Sequence, residues 1–218
     1  MKSRRNFIKE MLLIGIASGL SLMSKVVSLT GAAKTPKWTM IIDLNKCIAC
    51  GLCVMTCTRE NTSYMGVEIP LESRTRIYIV EWNGEKIPMH ILCRQCTDAP
   101  CVSVCPTGAS HKTAEGIVLI DHDLCIGCKY CLSVCPFDAR YINEDLKAAD
   151  KCTWCYHRII KGLQPACVEI CPMNARIFGD LTKPESEVSK LVKSGKAKHV
   201  GEESGVGPNV YFVFPGGE

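Results

Sequence analysis

Apolar positions along this chain come in short bursts, not long stripes. Thr39-Met40-Ile41-Ile42-Asp43 predicts a strand. Residues 76–82 and 85–92 read as two strands around Asn83-Gly84, a pair that suits a type I′ turn because both central residues must take positive φ. Residues 109–112 and 116–120 predict a second hairpin. Residues 140–142 and 176–178 predict further short strands. One stretch, 184–194, has a helical pattern. Pro184 stands near its first turn, Val188, Leu191 and Val192 share a face, and Gly195 ends it. Val210-Tyr211-Phe212-Val213-Phe214 is apolar on both faces of a strand. That pattern suits packing on a partner or under a loop, and equally a plain core. No stretch supplies the 18 or more consecutive apolar residues of a membrane span, which excludes a multi-pass membrane protein.

The N-terminus follows a different logic. It opens Ser3-Arg4-Arg5-Asn6-Phe7-Ile8-Lys9 and continues through an uncharged stretch, residues 11–24, to Lys25. Paired arginines, a large apolar residue and a short apolar region, in that order, mark a twin-arginine export signal. At about 1.5 Å per residue the stretch spans roughly 21 Å, short of a bilayer core. Gly31 and Ala33 supply small residues for cleavage after Ala33. Residues 1–33 are therefore expected to be a signal and the mature chain periplasmic. The signal carries five of the 26 basic residues and one of the 22 acidic ones. Its removal leaves 21 of each. The apparent +4 charge belongs to the signal, so no basic surplus remains for nucleic acid.

Composition sharpens this picture. The chain has 218 residues and 16 cysteines, and the cysteines inflate its 47% hydrophobic fraction. Without them roughly 39% is apolar, below ordinary globular usage. Aromatics are 6%. Something held by cysteine must replace part of the core.

The cysteines form four groups of four. Group I is Cys47, Cys50, Cys53 and Cys57. Group II is Cys93, Cys96, Cys101 and Cys105, followed by Pro106. Group III is Cys125, Cys128, Cys131 and Cys135, followed by Pro136. Group IV is Cys152, Cys155, Cys167 and Cys171, followed by Pro172. Groups I and III have the C-x2-C-x2-C-x3-C spacing of bacterial ferredoxins. Three thiols at every third position crowd one loop, which disfavours a disulfide scaffold. A run of three plus a fourth is also unlike the paired C-x2-C arrangement of a zinc site. The spacing instead wraps three thiolates around one face of an iron–sulfur cube. The fourth cysteine, on the short helix that follows, turns toward a second cluster. Sixteen ligands suffice for four [4Fe–4S] clusters. Nested pairing (I with IV, II with III) and serial pairing (I with II, III with IV) both satisfy that count.

Cys101-Val-Ser-Val-Cys-Pro-Thr-Gly-Ala109, Asp150-Lys-Cys-Thr-Trp-Cys-Tyr-His-Arg158 and Pro165-Ala-Cys-Val-Glu-Ile-Cys171 carry a resemblance. Over residues 39–214 the chain resembles the iron–sulfur electron-transfer subunits of the molybdopterin oxidoreductase (DMSO reductase) family. The signal makes it similar to the exported branch, which includes tetrathionate and formate-dependent nitrite reduction systems. The resemblance implies an α+β fold of two interleaved ferredoxin-like lobes. Residues 34–87 and 147–218 would form the first, and residues 88–146 an inserted second. It implies nested pairing: Cys47, Cys50, Cys53 with Cys171; Cys152, Cys155, Cys167 with Cys57; Cys93, Cys96, Cys101 with Cys135; Cys125, Cys128, Cys131 with Cys105. Cys128 stands where nitrate reductase relatives have Trp, so four cubanes are expected. The implied partners are a molybdopterin catalytic subunit and a membrane quinol-oxidising subunit. The second would make the membrane contact this chain lacks once its signal is removed.

Group I departs from the pattern in having Thr58 where a Pro would follow Cys57, with no expected effect on ligation. Trp154 is expected to pack, with cluster shielding as its second role. His157 and Arg158 are expected to be exposed polar residues, with a tuning or docking role as the alternative. His90, His111, His122 and His199 are not needed as ligands. Asp121 and Asp123 are expected to organise the loop into group III. The sequence has no nucleophile–base pair, no G-x-G-x-x-G and no P-loop. The chain is expected to carry electrons without catalysing. The alternatives are a free-standing periplasmic polyferredoxin and a structural zinc or disulfide module.

Overall fold

The computed structural model describes residues 35–65 and 74–216. The twin-arginine segment lies outside the described residues. The body is α+β, with short strands and mostly short helices. Its largest sheet joins sequence-distant segments. Strand β1 (Trp38–Asp43) is followed by helix α1 (Leu52–Met65) and the hairpin β2 (Thr75–Trp82)–β3 (Glu85–Leu92). Helix α2 (Pro100–Ser103) precedes the hairpin β4 (Ser110–Lys112)–β5 (Val118–Ile120). Helix α3 (Tyr130–Ser133) precedes the hairpin β6 (Arg140–Asn143)–β7 (Ala148–Lys151). Helices α4 (Tyr156–Ile159) and α5 (Ala166–Glu169) lead to β8 (Arg176–Asp180), α6 (Glu187–Lys193), β9 (Lys198–His199), a 3-10 turn at Glu202–Ser204, and β10 (Val210–Val213).

The four-stranded sheet has the order β8-β1-β10-β9. β1 runs antiparallel to β8 and parallel to β10, with Met40 opposite Val210 and Ile42 opposite Phe212. The terminal apolar run is therefore core, a central strand of this sheet, and Val210 and Phe212 are fully buried. A strand buried on both faces reads as a continuous apolar run. One side of the sheet packs under α6 through Ile41, Val188 and Tyr211. The other meets Trp154 and a set of cysteines, Cys53, Cys93, Cys152 and Cys167. A smaller cluster gathers Cys101 and Cys131 with Ala99, Val118 and Ala149.

Several local expectations hold. Asn83 and Gly84 have φ of 51° and 81°, as a type I′ turn requires. Others shift. The predicted helix at 184–194 begins at Glu187, because Ser186 caps it and accepts from the Ser189 N–H at 3.2 Å. The second hairpin is three residues a side, since Gly116 takes φ 82° in the turn. β7 had no sequence signal: Ala148-Ala-Asp-Lys151 is neither β-branched nor alternating, and pairing with β6 makes it a strand.

Helix α1 is the larger surprise, at 14 residues. Cys57 lies inside it. In the other groups the fourth cysteine follows a four-residue helix and does not sit on it. Pro106, Pro136 and Pro172 each come next and prevent continuation. Group I has Thr58 there, so its helix runs on. Among the described residues no helix is long and apolar enough to cross a membrane.

Candidate metal centres

Each cysteine loop adopts the same local turn. The residue two after the first cysteine has positive φ in all four groups: Ala49 (55°), Gln95 (50°), Gly127 (66°) and Trp154 (54°). This left-handed turn swings the chain around so that successive thiols and backbone N–H groups face one side. At Gly127 a side chain is doubly disfavoured, since a Cβ would lie 3.0 Å from the Lys147 carbonyl oxygen. A second repeat follows three of the fourth cysteines. Gly108, Asp138 and Asn174, each three residues on, also have positive φ. Beyond two of these turns the backbone comes back to the sulfur: Ser110 N–H reaches Cys105 Sγ at 3.3 Å and Ala175 N–H reaches Cys171 Sγ at 3.3 Å. Ala149 N–H reaches Cys125 Sγ at 3.4 Å and Trp154 N–H reaches Cys152 Sγ at 3.4 Å.

Two cavities collect four thiols each. Cys47, Cys50, Cys53 and Cys171 line one, with His90 and Arg176 in its wall. Cys105, Cys125, Cys128 and Cys131 line another, with Arg140 in its wall. The other eight cysteines show their grouping electrostatically. Burial, then the charges of Cys152, Cys167 and Cys155, push the Cys57 thiol well up. Burial, then Cys93, Cys101 and Cys135, push Cys96 to about 12. Burial likewise raises Cys152 to about 12 and Cys155 to about 11. Cys105 is the exception. Burial opposes its ionisation, but the Ser110 N–H and the Thr107 hydroxyl bring its pKa below the ordinary thiol value. The raised thiols surrender their protons only to strong electrophiles, so metal binding must release protons here.

Three features suit these residues to an anionic inorganic cluster. The first is the donor set, all thiol, with four thiols gathered around each of two volumes. The second is buried positive charge. Arg74, Arg94, Arg140, Lys151 and Arg176 are all at most 9% exposed. Arg140 Nη2 donates to Cys101 Sγ at 2.8 Å. Burial works against the Arg176 charge, but Cys167, Cys53 and Cys152 outweigh it and hold the guanidinium above its ordinary range. The third is a set of orphaned donors. Arg140 Nη1, Arg176 Nε and Nη1, and Arg94 Nε and Nη1 are buried without a hydrogen-bond partner. Cluster sulfides and thiolates are acceptors for such groups.

Sequence reasoning missed these cations, because Arg and Lys ordinarily lie at the surface. A signal was present. Cys135-Pro-Phe-Asp-Ala-Arg140 and Cys171-Pro-Met-Asn-Ala-Arg176 are the same phrase, and Arg stands five residues after the fourth cysteine in both. Asn61 was also missed. The extended α1 delivers it to Cys57 Sγ at 3.6 Å and Cys155 Sγ at 3.9 Å, while Arg74 Nη1 holds its Oδ1 at 2.8 Å. Asp150 in turn holds Arg74 at 2.9 Å. Lys151 is fully buried, and its ammonium donates to the carbonyls of Val118 and Cys152.

The remaining expectations resolve individually. Trp154 is 1% exposed and stands edge-on to Phe178 with centroids 5.3 Å apart, a packing role. His157 and Arg158 are less exposed than expected, since both meet Glu60 on α1, at 3.0 and 3.3 Å. Asp121 accepts from the N–H groups of Asp123 and Leu124 and shapes the turn into group III. His90, dismissed as a ligand, is buried against Cys47.

Comparison with known proteins gives two domain matches: a 4Fe-4S dicluster domain over residues 87–181 and a 4Fe-4S binding domain over residues 40–60. Protein NrfC homolog of Haemophilus influenzae is 41% identical over 219 residues, 99% of this chain and 97% of the relative. The B component of polysulfide reductase from Wolinella succinogenes is 39% identical, covering 81% of this chain and 94% of the relative. The B component of tetrathionate reductase from Salmonella typhimurium is 38% identical, covering 81% and 72%.

Proposed function

Since the chain belongs to the family of iron–sulfur electron-transfer subunits of respiratory molybdopterin oxidoreductases, we propose that it is the four-cluster wire of one such complex. It would pass single electrons between a membrane quinol-linked subunit and a molybdopterin catalytic subunit, one acting on a sulfur oxyanion or a related acceptor. When bound, each cluster supplies a one-electron redox centre. The protein supplies thiolates, N–H···S bonds, buried cations and a shell that excludes water.

The convergence of two cysteine triplets, each with a distant fourth, carries this reading. Cys171 joining Cys47, Cys50 and Cys53, and Cys105 joining Cys125, Cys128 and Cys131, support nested pairing. The sheet that unites β1 with β8, β9 and β10, while groups II and III lie between them in sequence, supports two interleaved lobes. Cys50 and Cys128 are the two exposed thiols. Each lines a cavity with exposed apolar neighbours, Ile48 and Met173 at 61% and 44% for one, and Ile126 at 67% for the other. Two such ends suit docking of two partners, because interface cores are depleted of charge. The twin-arginine segment supports export, with the mature protein in the periplasm and held at the membrane through its partner.

The test is affinity purification of the tagged chain from its native membrane fraction. Molybdenum and a quinol-reactive subunit are expected to co-purify. Recovery of the chain alone, with reducible clusters, would favour a free-standing polyferredoxin. Replacing Arg4 and Arg5 together by Lys is expected to hold the chain in the cytoplasm.

A further inference from the structure

His90 makes a contact that ligand counting does not require. It lies on β3, opposite Ile77 of β2, and is 1% exposed. Its Nδ1 is 2.7 Å from Arg176 Nη2 and its Nε2 is 3.3 Å from Cys47 Sγ. A guanidinium has donors and no acceptor. The short contact with Arg176 therefore requires a lone pair on Nδ1. In a neutral imidazole the single proton then sits on Nε2, the nitrogen that faces sulfur. Arg176 is itself fixed, since it also donates to Thr75 Oγ1 at 3.3 Å.

We propose that His90 is a positioning residue for the cluster held by group I: locked in one tautomer by Arg176, it donates its Nε2 proton to the Cys47 thiolate and raises that cluster's midpoint potential. The proposal rests on Cys47 being a ligand. Its physical basis is that reduction adds negative charge to the cluster and its sulfurs. A hydrogen bond aimed at a thiolate therefore stabilises the reduced state more than the oxidised one. The geometry resembles a metal-bound histidine whose second nitrogen is fixed by its neighbour, with the roles reversed: here the neighbour fixes the ring, and the ring acts on the ligand.

The test is an anaerobic redox titration of the purified full chain, followed by electron paramagnetic resonance, with iron measured in each sample. His90→Phe keeps a ring and loses the donor. It is expected to lower one midpoint so that the reduced-to-oxidised ratio at the original midpoint falls about tenfold, equal to about 59 mV for a one-electron couple. The other midpoints and the iron content are expected to stay. His90→Gln restores an N–H donor and is expected to return most of the shift. Where His90→Phe loses iron, His90→Met, flexible and without an N–H donor, supplies the same comparison. Four unmoved midpoints at full iron content would overturn the proposal, as would a common shift of all four. A wild-type chain without four-iron signals would instead remove the reading of Cys47 as a ligand, leaving the His90 tautomer argument without an object.

Discussion

Arg94, Arg140, Lys151 and Arg176 are buried charges with no carboxylate partner among the described residues; Arg74 alone of the buried set is paired, with Asp150. An unpaired charge in a protein interior costs several kcal/mol. Four of them in one small body are tolerable only beside something anionic. A [4Fe–4S] cluster with four thiolates carries about −2 when oxidised, and four would add about −8 to the chain. The cations therefore belong to the loaded protein. This part of the site was half legible in sequence. Thiol spacing marks ligands directly, because it is imposed by the shape of the cube. Nothing in composition separates a buried Arg from an exposed one, apart from the repeated Cys-Pro-x-x-Ala-Arg phrase at Arg140 and Arg176. The exposed Cys128 offers a residue-scale prediction. Cys128→Ala leaves three thiols, Cys105, Cys125 and Cys131, around the same volume, and is expected to convert one four-iron signal to a three-iron one, with about one fewer iron atom per chain and the remaining signals retained. Loss of all four signals together would show that the clusters do not form as separable units.

Among the elements, helix α1 shows how one residue changes an architecture. In groups II, III and IV the helix stops two residues before the fourth cysteine, and the proline that follows that cysteine bars continuation. Thr58 in group I leaves the chain free to continue to Met65. The added turns bring Glu60 to His157 and Arg158, and Asn61 to Cys57 and Cys155. The absent proline was visible in sequence, but its consequence was not, because Asn61 meets Cys155 only through tertiary packing. Thr58→Pro is expected to destabilise the protein by about 3 kcal/mol, the ordinary cost of proline inside a helix. Thermal unfolding measures it. If Cys57 and Cys155 serve one cluster, as nested pairing has it, one midpoint is expected to fall in the same variant, as the Asn61 amide withdraws from both sulfurs. An unchanged unfolding temperature would mean that α1 beyond Cys57 contributes nothing. The strands were legible where apolar residues alternate or run unbroken, as in β2, β3 and β10. They were not legible in β7, whose Ala-Ala-Asp-Lys is a strand only because β6 and the cysteine loops enclose it.

At the scale of the whole molecule, the scarcity of ordinary core residues and the abundance of cysteine are one fact. Cys53, Cys93, Cys152 and Cys167 stand among Met40, Ile42, Trp154 and Phe212 as core members. The sheets are of two and four strands, and most helices are a single turn. Such elements bury little apolar surface on their own, and small bodies of this kind rely on metal or disulfide links. Sixteen thiols in four groups of four suffice for four [4Fe–4S] clusters. The most direct test is iron and acid-labile sulfide analysis of the anaerobically purified chain, with Mössbauer spectra of the same sample. About sixteen iron and sixteen sulfide per chain, all in four-iron signatures, are predicted. Stoichiometric zinc, or a metal-free chain with its thiols oxidised to disulfides, would contradict it.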